Sequence, residues 1–131
     1  MEDVFDFLSD FENTGQWDPG TIETRRQSGD GGLGTTYRNK SRFMKREVDL
    51  EYETIGFDRP TSFVCRGRNG RTTATDRMSF TRDGDRTQIN YRAEFDFPFP
   101  VNVLVPLMIR RKLEKLADET VEQIKRTLDV R

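Results

Sequence analysis

The sequence contains no histidine. A Ser-His-Asp triad, His-ligated zinc and imidazole acid–base chemistry are all excluded by that absence. One cysteine, Cys65, leaves neither an internal disulfide nor a cysteine-based metal cluster. No apolar run reaches the ~20 residues that a membrane span needs, and no secretory leader pattern is visible. Basic residues are not in surplus: 22 Lys and Arg face 23 Asp and Glu, for a net charge of −1. Nucleic acid is therefore a poor partner, because phosphate binding draws on a basic excess. Repeats, low-complexity tracts and linkers are absent too. The 131 residues read as one domain, 1–131, long enough to bury a real core. The expectation is a soluble cytoplasmic domain with no metal and no cofactor.

What is present is aromatic surface and turn punctuation. Hydrophobic residues make up only 33%, but ten Phe compensate, since each buries a large area. The opening stretch "MEDVFDFLSD" predicts a helix. Glu2 and Asp3 suit the positive end of its dipole, and Val4, Leu8 and Phe11 recur at helical spacing, widened by Phe5 and Phe7. "FENTGQWDPG" predicts a short helical turn broken by Gly15, then a loop at Pro19-Gly20. From Thr21 onward strand and turn alternate, with strands expected near 21–28, 34–43, 48–57, 62–68, 71–82 and 85–97. Asn69-Gly70 and Asp83-Gly84 mark two hairpin turns.

Side-chain alternation then sets the registers. Closing the loop at 44–47 places Phe43 opposite Val48, Arg42 opposite Asp49, Lys40 opposite Glu51 and Arg38 opposite Glu53, a ladder of opposite charges on one face. Tyr37, Asn39, Leu50 and Tyr52 fall on the other face. With Asn69-Gly70 and Asp83-Gly84 as loop centres, Cys65 faces Ala74, Phe63 faces Asp76, Phe80 faces Thr87, Met78 faces Ile89 and Asp76 faces Tyr91. A one-residue slip would exchange the faces, so one antiparallel meander with a polar outer and an apolar inner face is expected. Ile55, Phe57 and Val64 fall on the charged side. Either a bulge near Gly56 turns them inward or they form a small apolar patch. From about Asn102 to Asp129, Val105, Ile109, Leu113, Leu116, Thr120, Ile124 and Leu128 make one stripe of a long helix suited to cover the inner face.

The order of "VFDFLSDFENTGQWDPG" (4–20), "GGLGTTYR" (31–38), "DGDRTQINYRAEF" (83–95) and the terminal helix resembles the START / Bet v 1-like (SRPBCC) superfamily. Within it, the polyketide cyclase/dehydrase and lipid-transport group is the nearest match, over nearly the whole chain. The resemblance implies an α+β helix-grip fold: an antiparallel six-stranded curved sheet wrapped around a long C-terminal helix, with one or two short N-terminal helices. The family's first strand, which would precede Glu2 and pair with 86–96, is absent from this sequence. Three readings stay open. The true start lies upstream; the edge pairs in a homodimer; or Arg92, Glu94 and solvent make the edge tolerable.

The resemblance also implies a cavity for a hydrophobic small molecule between sheet and helix. Its expected lining is Trp17, Tyr37, Asn39, Tyr52, Phe63, Cys65, Met78, Phe80, Tyr91, Phe95, Leu104, Met108 and Ile109. The same residues would equally fill a solid core. Asp76 is the most informative of the inward residues. It reads either as a polar anchor or acid–base group facing a bound carbonyl, or as a structural partner of Tyr91 or a water. Trp17 is a wall of the cavity mouth or a plug. Arg110, Arg111 and Lys112 meet anionic headgroups in transient membrane contact, or form a solvated face. Cys65 reads as a small core residue, not a nucleophile.

Three functions compete: a carrier of a lipid, quinone or polyketide-like aromatic; a cyclase or dehydratase in which Asp76 and Tyr91, with Tyr37 and Tyr52, steer enol chemistry without His or metal; and a protein-interaction module using the open edge.

Overall fold

The computed structural model describes residues 1–43, 45–84, 86–96, 124–126 and 128. The chain begins with helix α1 (Glu2–Ser9), a 3-10 turn (Phe11–Asn13) and a one-turn helix α2 (Thr14–Trp17). Six strands follow: β1 (Thr21–Ser28), β2 (Thr36–Phe43), β3 (Arg46–Asp58), β4 (Ser62–Asn69), β5 (Thr72–Asp83) and β6 (Arg86–Asp96). They form one antiparallel sheet in sequence order, with β1 and β6 at its edges. Gly15 does not break a helix; it lies inside α2. That single turn is held by burial of Thr14 and Trp17, which outweighs the local cost of glycine.

The faces follow the expected alternation, but three hairpin registers differ from expectation by two residues. Cys65 lies opposite Asp76 rather than Ala74, and Phe63 opposite Met78 rather than Asp76. Phe80 lies opposite Ile89, Met78 opposite Tyr91 and Asp76 opposite Ala93. Phe43 lies opposite Arg46, Arg42 opposite Glu47, Lys40 opposite Asp49 and Arg38 opposite Glu51. The cause is where glycine sits in the turn. Gly70 and Gly84, each at φ 60, take the first loop position, not the second. A Gly at the first central position is the II′ arrangement, whereas Asn-Gly as a loop pair signals I′. The loop therefore sits one residue later along the chain. Each partner moves by two, and every side chain keeps its face. The β2–β3 connection is tighter than the expected 44–47 loop, since Phe43 already pairs with Arg46, and Lys45 is at φ 67.

A register shift between Thr54 and Gly56 marks a bulge in β3. Beyond it Phe57 pairs with Phe63 and packs its ring edge-on to Phe5 at 5.3 Å. The bulge therefore turns Phe57 inward. Val64 stays opposite Gly56, and Val64 and Ile55 are half-buried.

The N-terminal helices lie across the inner face. Phe5 is fully buried and meets Phe63 and Phe80 edge-on at 5.8 and 5.3 Å. Ion pairs fasten α1 to the strand ends: Arg59 to Asp6 at 2.7 Å and Arg82 to Glu2 at 3.1 Å. Such exposed pairs add little individually; the aromatic burial holds the helix. Most of the expected 102–129 helix, including Leu104, Met108, Ile109 and the Arg110, Arg111 and Lys112 run, lies outside the described residues. Residues 124–126 and 128 are helical, and Ile124 is buried with the inner-face core.

Candidate functional site

Successive inward positions of β2 to β5 carry Tyr37, Tyr52, Phe63, Cys65, Met78 and Phe80, all buried. Trp17, delivered by α2, is 1% exposed and closes one side of this surface. Phe11 sits centrally, its ring 6.0 Å from Trp17, 5.9 Å from Tyr37, 5.0 Å from Tyr52 and 6.4 Å from Phe63. Tyr52 lies flat over Gly67: a Cβ there would come within 2.7 Å of its ring. Glycine at 67 is thus a steric requirement of the Tyr52 position.

Asp76 stands mid-strand on this apolar face. The Tyr91 hydroxyl donates to its Oδ1 at 2.6 Å. Both residues are half-buried. Burial pushes the Asp76 carboxyl up to about 7; the Tyr91 bond opposes the shift, and the Asp18 charge adds to it. Burial, reinforced by the Asp76 charge, also raises the phenols of Tyr52 and Tyr91 well above their ordinary value. Trp17 meets the Tyr91 ring edge-on at 6.3 Å. Its indole Nε1 is buried without a hydrogen-bond partner among the described residues. The Tyr37 hydroxyl approaches the Phe11 backbone but falls short of hydrogen-bond geometry.

Two expected lining residues behave differently from the rest. Asn39 is buried and both ends of its amide are engaged: Nδ2 donates to Thr24 Oγ1 at 2.8 Å, and Oδ1 accepts from Ser41 at 2.6 Å. Thr24 in turn shares a 2.6 Å hydroxyl contact with Thr14. This chain ties α2 to β1 and β2, so Asn39 is a fastening rather than a free polar group. Phe95 does not join the buried set. It lies toward the end of β6, opposite Ala74, and is 39% exposed.

Asp18 is the residue the sequence reading missed. Its Oδ1 accepts from Gly20 N–H at 3.0 Å and its Oδ2 from the Thr21 hydroxyl at 3.1 Å. Burial raises its carboxyl, against those two bonds. The available signal was its place after Trp17 and before Pro19-Gly20, where a carboxylate commonly ties a turn. Cys65 touches Thr54 Oγ1 at 3.6 Å, and burial pushes its thiol up to about 12. That thiol is inert.

The arrangement is a largely apolar, aromatic surface with one polar pair, Asp76 and Tyr91, and two buried groups without a partner among the described residues, Trp17 Nε1 and the Tyr37 hydroxyl. Among the described residues no group of three or more His, Cys, Asp or Glu converges to hold a metal ion, and no helix is long and apolar enough to cross a membrane.

A family model described as polyketide cyclase / dehydrase and lipid transport matches residues 1–129. No curated protein matches the chain. Among solved structures, TTHA0849 from Thermus thermophilus is similar at 19% identity and TM-score 0.68, over 97% of this chain and 85% of that one. Ara h 8.0201 is similar at 13% identity and TM-score 0.64, over 96% of this chain and 86% of that one. The di-domain ARO/CYC BexL from the BE-7585A biosynthetic pathway is similar at 16% identity and TM-score 0.67, over 96% of this chain and 45% of that one. At these identities the likeness is one of fold.

Proposed function

Because the chain belongs to the polyketide cyclase/dehydrase and lipid transport family, we propose that it binds a hydrophobic small molecule, such as a lipid, a quinone or a polyketide-like aromatic, between the inner sheet face and the C-terminal helix. The observation that carries this reading is the Asp76–Tyr91 pair on a largely apolar face. Removing a carboxyl from water costs free energy unless it is hydrogen-bonded; the Tyr91 hydroxyl engages Oδ1, and Oδ2 remains for a ligand. Trp17 and Tyr52 supply flat surface on either side, and Met78 a pliable one. Apolar contact drives binding at ~25 cal/mol per Å² buried. The carboxyl orients the ligand: neutral, it donates to a ligand carbonyl; ionised, it accepts from a ligand hydroxyl.

Native mass spectrometry of the purified chain, paired with organic extraction, tests this. The expected result is a protein-bound small molecule that extraction releases, or stoichiometric uptake of a hydrophobic aromatic by the extracted protein. An extracted protein that takes up no lipid, quinone or aromatic contradicts it.

One observation favours catalysis as a second reading. A carboxyl held by the Tyr91 hydroxyl at 2.6 Å on an aromatic face, and pushed up to about 7 by burial, is matched to general acid–base work at neutral pH. In that reading Asp76 moves the proton and Tyr91 holds its orientation. Turnover of an aromatic polyketide, lost in Asp76→Asn while binding persists, distinguishes an enzyme from a carrier.

A further inference from the structure

The two edges of the sheet are treated differently. The β1 edge is blunted by two register shifts, between Thr21 and Glu23 and between Arg26 and Ser28. The Arg26 backbone N–H is taken by the Glu12 carboxylate at 2.8 Å, and the 3-10 turn and α2 pack against the strand. Bulges and covers of this kind keep an edge from recruiting another chain. Among the described residues the β6 edge has neither. It runs eleven residues without proline, in unbroken register with β5. Among the described residues no strand lies on its other side.

The hairpin fixes which backbone groups face out. Asp83 and Arg86 flank a two-residue loop, and flanking residues in such a hairpin exchange both bonds. Arg86 and every second residue after it therefore bond to β5. Thr87, Ile89, Tyr91 and Ala93 turn their N–H and C=O groups away from it. Their side chains lie on the inner face. Ile89 and Tyr91 help line a groove of about 830 Å³ with Met1, Val4, Ile124 and Leu128.

We infer that the β6 edge pairs with β6 of a second copy of this chain, antiparallel about a two-fold axis through Tyr91. Outward-facing residues must oppose outward-facing residues, so the axis passes through a residue rather than between two. Centred on Tyr91, the two strands overlap over all eleven residues. Ile89 then opposes Ala93 of the second copy. On the outer face Arg86 opposes Asp96, Arg92 opposes Asn90, and Glu94 opposes Gln88. No like charges meet, and the two ends each gain an Arg–Asp pair. Moving the axis to Arg92 would set that residue against itself; moving it to Asn90 shortens the overlap. The strand is thus complementary to its own reverse in charge and in phase, which selects a second copy over a partner of unrelated sequence.

Size-exclusion chromatography with light scattering on the full chain, across concentration up to the solubility limit, tests this. Hydrogen–deuterium exchange at the two concentration extremes accompanies it. A dimer is expected, with the amides of Ile89, Tyr91 and Ala93 slowed only when it forms. Ala93→Pro removes an outward donor at a position where an edge strand tolerates proline. It is expected to weaken the dimer by about tenfold or more, the loss of a bond from each copy. Arg86→Asp and Asp96→Arg each weaken association by several-fold, and the double variant restores it. This swap keeps the test sharp if Ala93→Pro disturbs folding. A chain that stays monomeric overturns the inference. So does a dimer indifferent to the charge swap, which uses another face. A different protein that protects the same amides while the chain alone remains monomeric overturns the second copy as occupant.

Discussion

The Asp76→Asn variant is expected to gain stability on the wild-type protein as pH rises from about 4 to about 7. The sign follows from proton counting. The folded protein holds the Asp76 proton up to about 7, whereas the unfolded chain releases it near the ordinary value of 3.8. Between those limits the folded state binds the extra proton. Raising the pH therefore favours unfolding, with a slope approaching 1.36 kcal/mol per pH unit for a single group. Across the window the penalty grows and levels off at about 4 kcal/mol. Asparagine cannot ionise, yet its side-chain oxygen still accepts the Tyr91 hydroxyl. The variant and the wild type are expected to lie within about 1 kcal/mol at pH 4 and to diverge above it. Urea denaturation at several pH values measures this directly. Parallel profiles would mean that Asp76 ionises as an exposed carboxylate does, and the anchor would be lost from the site.

Phe11→Ala is expected to cost about 3–5 kcal/mol, the usual penalty for truncating a buried aromatic. Phe11 is 2% exposed and its ring meets those of Trp17, Tyr37, Tyr52 and Phe63. It comes from a three-residue turn with little intrinsic stability, so its position depends on this contact set. Removing it opens a hole under Trp17 and loosens the side of the site that α2 carries. Leu33→Ala, at a position 69% exposed, serves as the control and should stay within about 0.5 kcal/mol. Equilibrium denaturation compares the two. A Phe11→Ala cost below about 1 kcal/mol would show that the N-terminal turn is not part of the core.

The sheet was legible in the sequence because alternation has a period of two, and a register error of two leaves it intact. The outer-face ladder illustrates the limit. Acids at Glu47, Asp49, Glu51 and Glu53 alternate with the same spacing as Arg38, Lys40 and Arg42. Every two-residue slip still opposes acid to base, so charge could not choose between the 44–47 loop and a tighter connection. The conformation of one residue chose: Lys45 at φ 67 closes the tighter turn. Gly70 and Gly84 made the same choice in their hairpins by taking the first loop position. Neither preference is written in side-chain patterning.

The site was legible to the extent that it lies on the inner face. Parity placed Tyr52, Met78 and Asp76 inward whatever the register, and the sequence reading already offered Tyr91 as the partner of Asp76. The direct pairing it assumed was replaced by a diagonal one: Tyr91 stands opposite Met78 and reaches back to the carboxyl. A tyrosine is long enough to span that offset. The bonds that engage Asn39 were not legible, because Thr24 and, beyond it, Thr14 come from different elements, and no local spacing announces that they meet. Phe95 was placed by alternation alone, which sets the face of a strand but not how far the core extends along it.

Trp17 is the chain's only tryptophan, buried and in edge contact with Tyr91, so its emission comes from the proposed site alone. Titrating the extracted protein with a flat hydrophobic aromatic, while following both Trp17 fluorescence and the probe's own signal, asks whether a ligand sits beside that ring. A saturable change in Trp17 emission, at one probe per chain and weakened by Asp76→Asn, is the result this account requires. A probe that binds with Trp17 emission unmoved would mean that the inner face is simply a filled core.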